Sequence, residues 1–245
     1  MPAQPPHFST PSVQNCTHEG VIQALREQIA GMEQARKAAG KNVISSGCRS
    51  LDLLLPEGGF CCGTLVEWLA SRAGNGAASL AFGTAREASR EGGAIVVLDQ
   101  AQEFYPPAAA RLGLSLESLV VVQAAQPADN LWALDQALRC PGVAAVVAWS
   151  EKIDARTFRR LQLAAEEGGA LGLLLRPERV RGEPSWADVR LLVEPLPGGT
   201  VGGRRLRIEI LRCRAAPRGT VEVEMEKCQA QSTNDQWGWK RERRA

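Results

Sequence analysis

The residues best suited to chemistry lie in a glycine-containing turn, Ser71–Ala78, which follows an apolar run and precedes a helical pattern. Turns of this kind can cradle phosphate groups with backbone amides, and a working phosphate loop reads G-x-x-x-x-G-K-S/T. Its lysine contacts the β- and γ-phosphates, and its hydroxyl binds magnesium. The sequence contains no lysine between Lys41 and Lys152. We therefore expect Gly74 and Gly76 to make a strand-to-helix turn, with residual phosphate binding as the alternative.

Nucleophilic and metal-based chemistry has few candidate residues in this chain of 245 residues. The two histidines, His7 and His18, lie in a Pro-, Ser- and Thr-rich segment, so neither is expected to act as a base in a packed core. The seven cysteines form no C-x-x-C pair, which favours reduced thiols over a zinc site; they occupy positions 16, 48, 61, 62, 140, 213 and 228. The sequence predicts no catalytic residue, no metal and no cofactor.

Basic clusters are the remaining candidate sites, because a net charge of +2 leaves only local clustering to create a binding surface. The first cluster could contact a partner protein or form a solvated face with local Glu pairs; it comprises Arg156, Arg159 and Arg160. The second could contact DNA or a partner, or be neutralised by cross-strand pairs with Glu222, Glu224 and Glu226; it comprises Arg204, Arg205, Arg207, Arg212 and Arg214. The third is a C-terminal tail that could stack on single-stranded bases, be captured by a partner, or have no specific role; it comprises Trp237, Trp239, Lys240, Arg241, Arg243 and Arg244.

An α/β fold with a mostly parallel β-sheet flanked by helices is predicted to position these residues. Near-continuous apolar runs are typical of strands buried on both faces; they are Thr64–Leu69, Ala94–Leu98, Leu119–Gln123, Val143–Trp149 and Ala170–Leu175. Segments with a 3.6-residue period and polar outer faces alternate with them; they are Ala77–Glu91, Pro106–Leu112, Asp129–Arg139 and Ala155–Glu167. This alternation indicates parallel strands joined by helical crossovers.

The pattern changes near the C-terminus, where Arg204–Arg214 and Thr220–Glu226 each alternate apolar with charged residues. Strict alternation and a five-residue connection predict an antiparallel hairpin added to the edge of the sheet. Several side chains are expected to be structural. The predicted core residues are Trp68, Trp132, Trp149, Phe158, Leu161, Leu163 and Ala164, and Asp99 is expected to hold a loop amide.

The segment Val43–Trp68 resembles the entry to the RecA-type ATPase core, including Gly58-Gly59-Phe60. In that family the next turn is the phosphate loop. By this resemblance Ala77 and Ala78 stand at the lysine and hydroxyl positions. Ala101 stands at the catalytic glutamate and Trp149 at the magnesium-coordinating aspartate. Loss of all four positions removes the apparatus of phosphoryl transfer, so ATP hydrolysis is not expected.

A closer resemblance follows in Ala148–Ser150, Ala155–Gly169, Leu173–Pro177 and Leu206–Arg214. These segments resemble the ImuA family, RecA-like and ATPase-deficient accessory proteins of bacterial damage-induced translesion synthesis. The resemblance covers residues 43–226 and predicts a degenerate RecA-like domain that ends in the β-hairpin. A disordered leader (1–18) and an N-terminal helix (19–42) are expected before it, and a flexible basic tail (227–245) after it.

The resemblance implies a non-catalytic adaptor. Its implied partners are an inactive Y-family-like polymerase subunit, an error-prone replicative-type polymerase and RecA, with single-stranded DNA as a further candidate. Two alternatives stay open: a SulA-like inhibitor of cell division, and a nucleotide-binding ATPase in which Arg72 replaces the missing lysine.

Membrane association is not expected. The longest apolar run has seven residues, whereas a membrane-spanning helix needs about 20. The residues Met1–His7 have neither a cationic start nor an apolar stretch behind it, so no signal peptide is predicted. We expect a cytoplasmic protein that is associated with the nucleoid when engaged with its partners.

Overall fold

An eight-stranded sheet forms the centre of the protein in the computed structural model, which describes residues 42–72, 74–198, 203–214 and 218–225. Its strands are β3 (Leu65–Ala70), β4 (Ala94–Leu98), β5 (Leu119–Val122), β6 (Val143–Trp149), β7 (Leu171–Pro177), β8 (Val189–Pro195), β9 (Arg204–Cys213) and β10 (Thr220–Met225). A separate antiparallel pair joins β1 (Val43–Ile44) to β2 (Phe60–Cys61). The predicted leader, the predicted helix up to residue 41 and the basic tail lie outside the described residues.

The strand order across the large sheet is β10-β9-β8-β3-β7-β6-β4-β5. The six strands from β8 to β5 are parallel, while β9 is antiparallel to both β8 and β10. The prediction of a mostly parallel sheet with an antiparallel hairpin at its edge is therefore confirmed.

In the part of the chain that the structure describes, five helices connect the strands: α1 (Arg49–Asp52), α2 (Ala77–Ala88), α3 (Pro106–Arg111), α4 (Pro127–Arg139) and α5 (Ala155–Gly168). Side chains alternate between the two faces of the sheet, as β6 shows. Ala145 and Val147 pack in the apolar core that includes α2, whereas Val146 and Ala148 pack in the core that includes α4 and α5. The helices therefore cover both faces of the parallel sheet, as the continuous apolar strands require.

Helix α5 shows how local sequence sets an element's ends. The side chain of Asp154 accepts hydrogen bonds from the backbone amides of Arg156 and Thr157, both at 3.0 Å, so it caps the helix N-terminus. The helix ends where Gly169 adopts a φ of 80°, a left-handed conformation that favours glycine. The predicted bounds of this helix were correct to within one residue.

Several predictions about individual elements and side chains were wrong. The strand β8 was not predicted. Glu226, placed in the last predicted strand, lies outside the described residues, so its placement stays a prediction. Trp132 is 63% exposed and Leu163 is 44% exposed, so neither is a core residue. Trp149 is only half-buried, whereas Trp68 is fully buried as expected.

Across the described part of the chain, no helix has the length and apolar character needed to cross a membrane.

Candidate functional site

The carboxyl ends of the central parallel strands open into a cleft of about 1260 Å³. Its walls are formed by residues 71, 72 and 74–76 of the loop after β3, by residues that follow β4 and β6, and by the end of β7. This edge of an open α/β sheet is where ligands ordinarily bind. The loop after β3 occupies the place of a phosphate loop, at the N-terminus of α2.

The side chain of Asn75 occupies one of the backbone amides that a phosphate group would need. Asn75 is almost fully buried, and its Nδ2 donates a 2.6 Å hydrogen bond to the carbonyl oxygen of Val193 on β8. Its Oδ1 accepts a 3.0 Å hydrogen bond from the amide of Ala77, the first residue of α2. That amide is therefore already bonded within the protein.

Strand β9 holds the same loop from a second direction. Arg204 Nη1 donates a 2.8 Å hydrogen bond to the carbonyl oxygen of Gly74. Gly76 has a φ of 102°, and a Cβ atom added there would lie 2.7 Å from Leu206 Cδ1. Three contacts therefore hold this loop: Asn75 with β8, Arg204 with Gly74, and Leu206 with Gly76. We call them together the loop strap.

The four positions assigned to catalysis by resemblance hold side chains unsuited to it. Ala77 is buried, Ala78 is half-buried and Ala101 is exposed at the cleft. Trp149 lines the cleft and packs against the ring of Phe82 on α2, with 6.0 Å between ring centroids. The magnesium-ligand position is thus part of an aromatic contact.

Asp99 follows β4 at the cleft and is the one buried carboxylate there, but its oxygens are committed to the backbone. Oδ1 accepts from the amide of Glu103 at 2.9 Å, and Oδ2 accepts from the amide of Phe104 at 3.1 Å. The expectation that Asp99 holds a loop amide is met. Among the described residues, no group of three or more His, Cys, Asp or Glu side chains is placed to hold a metal ion.

Comparison with known proteins agrees with this architecture. Residues 25–156 match the RecA N-terminal domain family. Over 201 residues, the chain is 34% identical to protein ImuA of Caulobacter vibrioides strain NA1000 / CB15N, covering 72% of this chain and 81% of that protein. The chain belongs to the ImuA family. The family expectation from the sequence is confirmed.

Two other groups match shorter parts of this ImuA-family protein. RecA of Clostridium botulinum strain Eklund 17B is 35% identical over 82 residues, covering 34% of this chain and 23% of RecA. The cell division inhibitor SulA of Photorhabdus laumondii is 31% identical over 78 residues, covering 32% of this chain and 44% of SulA. Both matches are far shorter than the match to ImuA.

A buried ionic network lies beneath the cleft of the ImuA-family chain. Glu67, in the middle of β3, has no exposed surface. Its Oε1 accepts from Arg176 Nη1 on β7 at 2.6 Å, and its Oε2 lies 2.9 Å from Arg190 Nε on β8. Ser185 Oγ donates to the same Oε2 at 2.6 Å. One carboxylate therefore joins three adjacent strands to the segment before β8.

The two arginines of this network also hold backbone carbonyls. Arg176 donates to the carbonyl oxygens of Ser150 and Glu151, at 3.2 and 2.9 Å, and so fixes the loop after β6. Arg190 Nη2 donates to the carbonyl oxygen of Val180 at 2.8 Å. Its Nη1 donates to the carbonyl oxygens of Arg181 and Glu183, in the segment before β8. Burial lowers the pKa of the Arg190 guanidinium, and Glu67 opposes that shift. Sequence reasoning missed the network, because only the strand register brings these charges together.

Two arginines of the hairpin cluster form the cross-strand pairs that were considered as an alternative. Arg205 and Arg207 lie on β9, and Glu222 on β10 is directly opposite Arg207. Glu222 Oε2 lies 2.7 Å from Arg205 Nη2, and its Oε1 lies 3.6 Å from Arg207 Nη2. All three side chains are about half exposed. The acid reduces the positive field that a phosphate backbone would meet.

The other three hairpin arginines point to separate places. Arg204 belongs to the loop strap. Arg212 Nη1 donates to the carbonyl oxygen of Ser185 at 2.5 Å, and Arg214 Nη1 lies 3.2 Å from Asp188 Oδ1. The structure therefore does not gather the five arginines into one basic face. Tail residues Trp237, Trp239, Lys240, Arg241, Arg243 and Arg244 lie outside the described residues.

The arginines of α5 differ from one another in their partners. Arg160 Nε lies 3.2 Å from Asp135 Oδ1 on α4, so its charge is paired. Arg159 Nη1 donates to Gln162 Oε1 at 2.6 Å, and its guanidinium carbon lies 5.2 Å from the ring centroid of Trp186. Arg156 is exposed, and its side chain has no partner within the described ranges. Trp186 was missed because a single large apolar residue in a segment without periodicity carries no signal.

Proposed function

We propose that this ImuA-family protein is a non-catalytic adaptor in DNA-damage-induced, error-prone translesion synthesis. Family membership supports the role in damage-induced mutagenesis. The adaptor role is an inference from the site. Its proposed partners are an inactive Y-family-like polymerase subunit, an error-prone replicative-type polymerase and RecA, with single-stranded DNA as a further partner. The proposed location is the cytoplasm, at the nucleoid when engaged.

The loop strap is the observation that carries this proposal. A phosphate loop binds nucleotide through free amides and a lysine, but here Asn75 occupies the amide of Ala77 and alanine replaces the lysine. Arg204 and Leu206 bring β9 against the loop. Because the loop lacks the lysine and one of its amides is already bonded within the protein, we infer that the fold is kept for its surfaces.

Binding of purified partners without nucleotide tests the adaptor role. The full chain, immobilised in buffer free of ATP, should retain the purified polymerase-like subunit or RecA, and adding ATP with magnesium should not change the amount retained. Failure to retain any of the proposed partners with or without nucleotide would contradict the adaptor proposal.

A nucleotide-binding ATPase is distinguished by thermal shift. A ligand at 100 times its Kd stabilises the folded state by about 2.7 kcal/mol, so a binding site for ATP should raise the melting temperature measurably. We expect no shift for the wild type. A saturable shift that disappears in Arg72→Ala would favour the ATPase instead. Filamentous cells on overexpression would favour the SulA-like alternative, which has the 78-residue match to SulA as its support.

A further inference from the structure

Exposed apolar side chains and arginines without acidic partners share one surface of the protein. It consists of Arg156, Arg159 and Leu163 on α5, Trp186 in the segment before β8, and Trp132 on α4; we call it the α5 surface. Leu163 is 44% exposed, Trp186 is 40% exposed and Trp132 is 63% exposed. No interaction found within the described residues explains why three large apolar side chains remain in solvent there.

Two contacts place the tryptophans on opposite sides of α5. The guanidinium of Arg159 lies over the ring of Trp186. Trp132 lies one turn before Asp135 on α4, and Asp135 is in contact with Arg160 of α5. Residues three apart on a helix share a face, so Trp132 borders α5 on the side away from Trp186.

Arg159 is held in place without being neutralised. Its two contacts are the amide oxygen of Gln162 and the indole ring of Trp186, neither of which is an acid. Gln162 is itself fully buried, which fixes the position of its side chain. The guanidinium therefore has a set conformation and an uncompensated charge, which reduces the entropy lost when it binds an anion.

The charges of α5 are also arranged against the helix's own electrostatics. Arg156, Arg159 and Arg160 lie in its first two turns, and Glu166 and Glu167 lie in its last turn. The helix dipole favours the opposite arrangement, with acids at the N-terminus and bases at the C-terminus. Only Arg160 among the three arginines has an acidic partner within the described part of the chain. The Asp154 cap offsets part of this cost, and a broken local rule of this kind is expected at functional sites.

We propose that the α5 surface docks a segment of a partner protein that presents carboxylates beside apolar side chains. The carboxylates would pair with Arg156 and Arg159, and the apolar side chains would pack on Trp186, Leu163 and Trp132. Tryptophan and arginine are the residues most enriched among those that dominate binding energy in protein interfaces. This proposal rests on the proposed function, since an adaptor needs such a surface.

The surrounding charges favour an acidic protein segment over nucleic acid. Exposed acids lie on the same elements as this surface: Asp129 on α4, Glu183 before β8, and Glu166 and Glu167 on α5. A phosphate backbone carries a charge at every nucleotide, so a strand that runs along these elements would meet acids as well as arginines. A protein segment can place its carboxylates only where arginines are present.

Titration of a labelled peptide against the full chain tests the surface directly. The probe is a fluorescent peptide of about twelve residues that alternates Asp or Glu with Leu or Phe, a length that suits docking in an extended or helical form. The same peptide with Asn and Gln in place of the acids, and an oligo-dT strand, serve as comparison probes. We expect the acidic peptide to bind most tightly and its affinity to fall as salt is added.

Matched variants locate the binding. The double variant Arg156→Gln/Arg159→Gln and the single variant Trp186→Ala should each weaken peptide binding roughly tenfold. Arg49→Gln/Arg90→Gln removes the same charge from exposed positions associated with the opposite face of the sheet, and should bind as the wild type does. Arg156 has no described side-chain contact, so the single variant Arg156→Gln gives a readout that a folding defect does not explain.

Three results would overturn the proposal: equal binding of the acidic and neutral peptides, tighter binding of the oligo-dT, or equal weakening by the two double variants. Purified polymerase-like subunit and RecA are titrated in parallel. If they bind and Arg156→Gln/Arg159→Gln leaves their affinity unchanged, the α5 surface fails and the adaptor role stands. If neither binds while the acidic peptide behaves as expected, the adaptor role fails and the surface stands.

Discussion

Replacement of Glu67 by glutamine should be among the most damaging conservative changes in this protein. Glutamine has the same shape, so the substitution removes the charge and leaves little or no cavity. Two arginines, Arg176 and Arg190, are 2% and 6% exposed and would then have no fully buried carboxylate between them. The glutamine amide group would also place a donor toward Arg190 Nε or Arg176 Nη1, which are themselves donors.

The expected loss follows from the burial of the network. Removing one partner of a buried ion pair typically destabilises a protein by about 3–5 kcal/mol. Glutamine retains one carbonyl oxygen as an acceptor, and Glu183 still lies 3.1 Å from Arg176 Nη2, so we take the lower end of that range. A loss of about 3 kcal/mol lowers the melting temperature of a domain of this size by roughly 6–12 °C.

Thermal unfolding followed by circular dichroism measures this loss, with Glu222→Gln as the matched control. Glu222 also contacts two arginines, but it is 46% exposed, and exposed ion pairs contribute at most about 1 kcal/mol. The control should therefore melt within about 4 °C of the wild type. If Glu67→Gln melts no lower than Glu222→Gln, the buried network does not stabilise the fold as argued.

Two further predictions concern the loop strap and the thiols. Gly76→Ala should lower the free energy of unfolding in urea by about 2–3 kcal/mol, because the left-handed φ is strained for alanine and Leu206 must move. Gly74→Ala has open space around the added Cβ and should lower it by only about 1 kcal/mol. Equal losses would show that Leu206 does not press on the loop. Burial raises the pKa of the Cys62 thiol, so less thiolate is present at a given pH and iodoacetamide at pH 8.5 should modify it more slowly than the exposed Cys140. Faster modification of Cys62 in peptide mapping would contradict the inferred shift.

The parallel part of the fold could be predicted because its signals are local. Strands such as β4 and β6 are uninterrupted apolar runs, and their predicted bounds match those of the structure. Strand β8 was missed because Arg190 and Glu194 interrupt its apolar sequence. Arg190 is tolerated inside the sheet because Glu67 is its neighbour on β3 and three backbone carbonyls accept from it. The pairing with Glu67 spans 123 residues, so no local pattern contains it.

Prediction of the site divides in the same way. The absence of the phosphate-binding lysine is visible in a few consecutive residues, and the other three catalytic positions were assigned by family resemblance. The loop strap could not be predicted from local sequence, because Arg204 and Gly74 are 130 residues apart in the chain. Trp132 was assigned to the core because apolar character alone does not distinguish burial from a place in an interface. Its exposure became informative only when the structure showed that Leu163, Trp186 and arginines of α5 are exposed as well.

The loop strap bears on how complexes of this protein can be taken apart. Nucleotide-driven members of the RecA-like fold have a source of chemical free energy at this loop. Here the loop is tied to β8 by Asn75 and to β9 by Arg204 and Leu206, and under the proposed function it supplies none. An adaptor of that kind would bind and release its partners at equilibrium. The fraction of partner that is engaged then depends only on affinity and concentration. Synthesis and degradation of the chain would set when it acts.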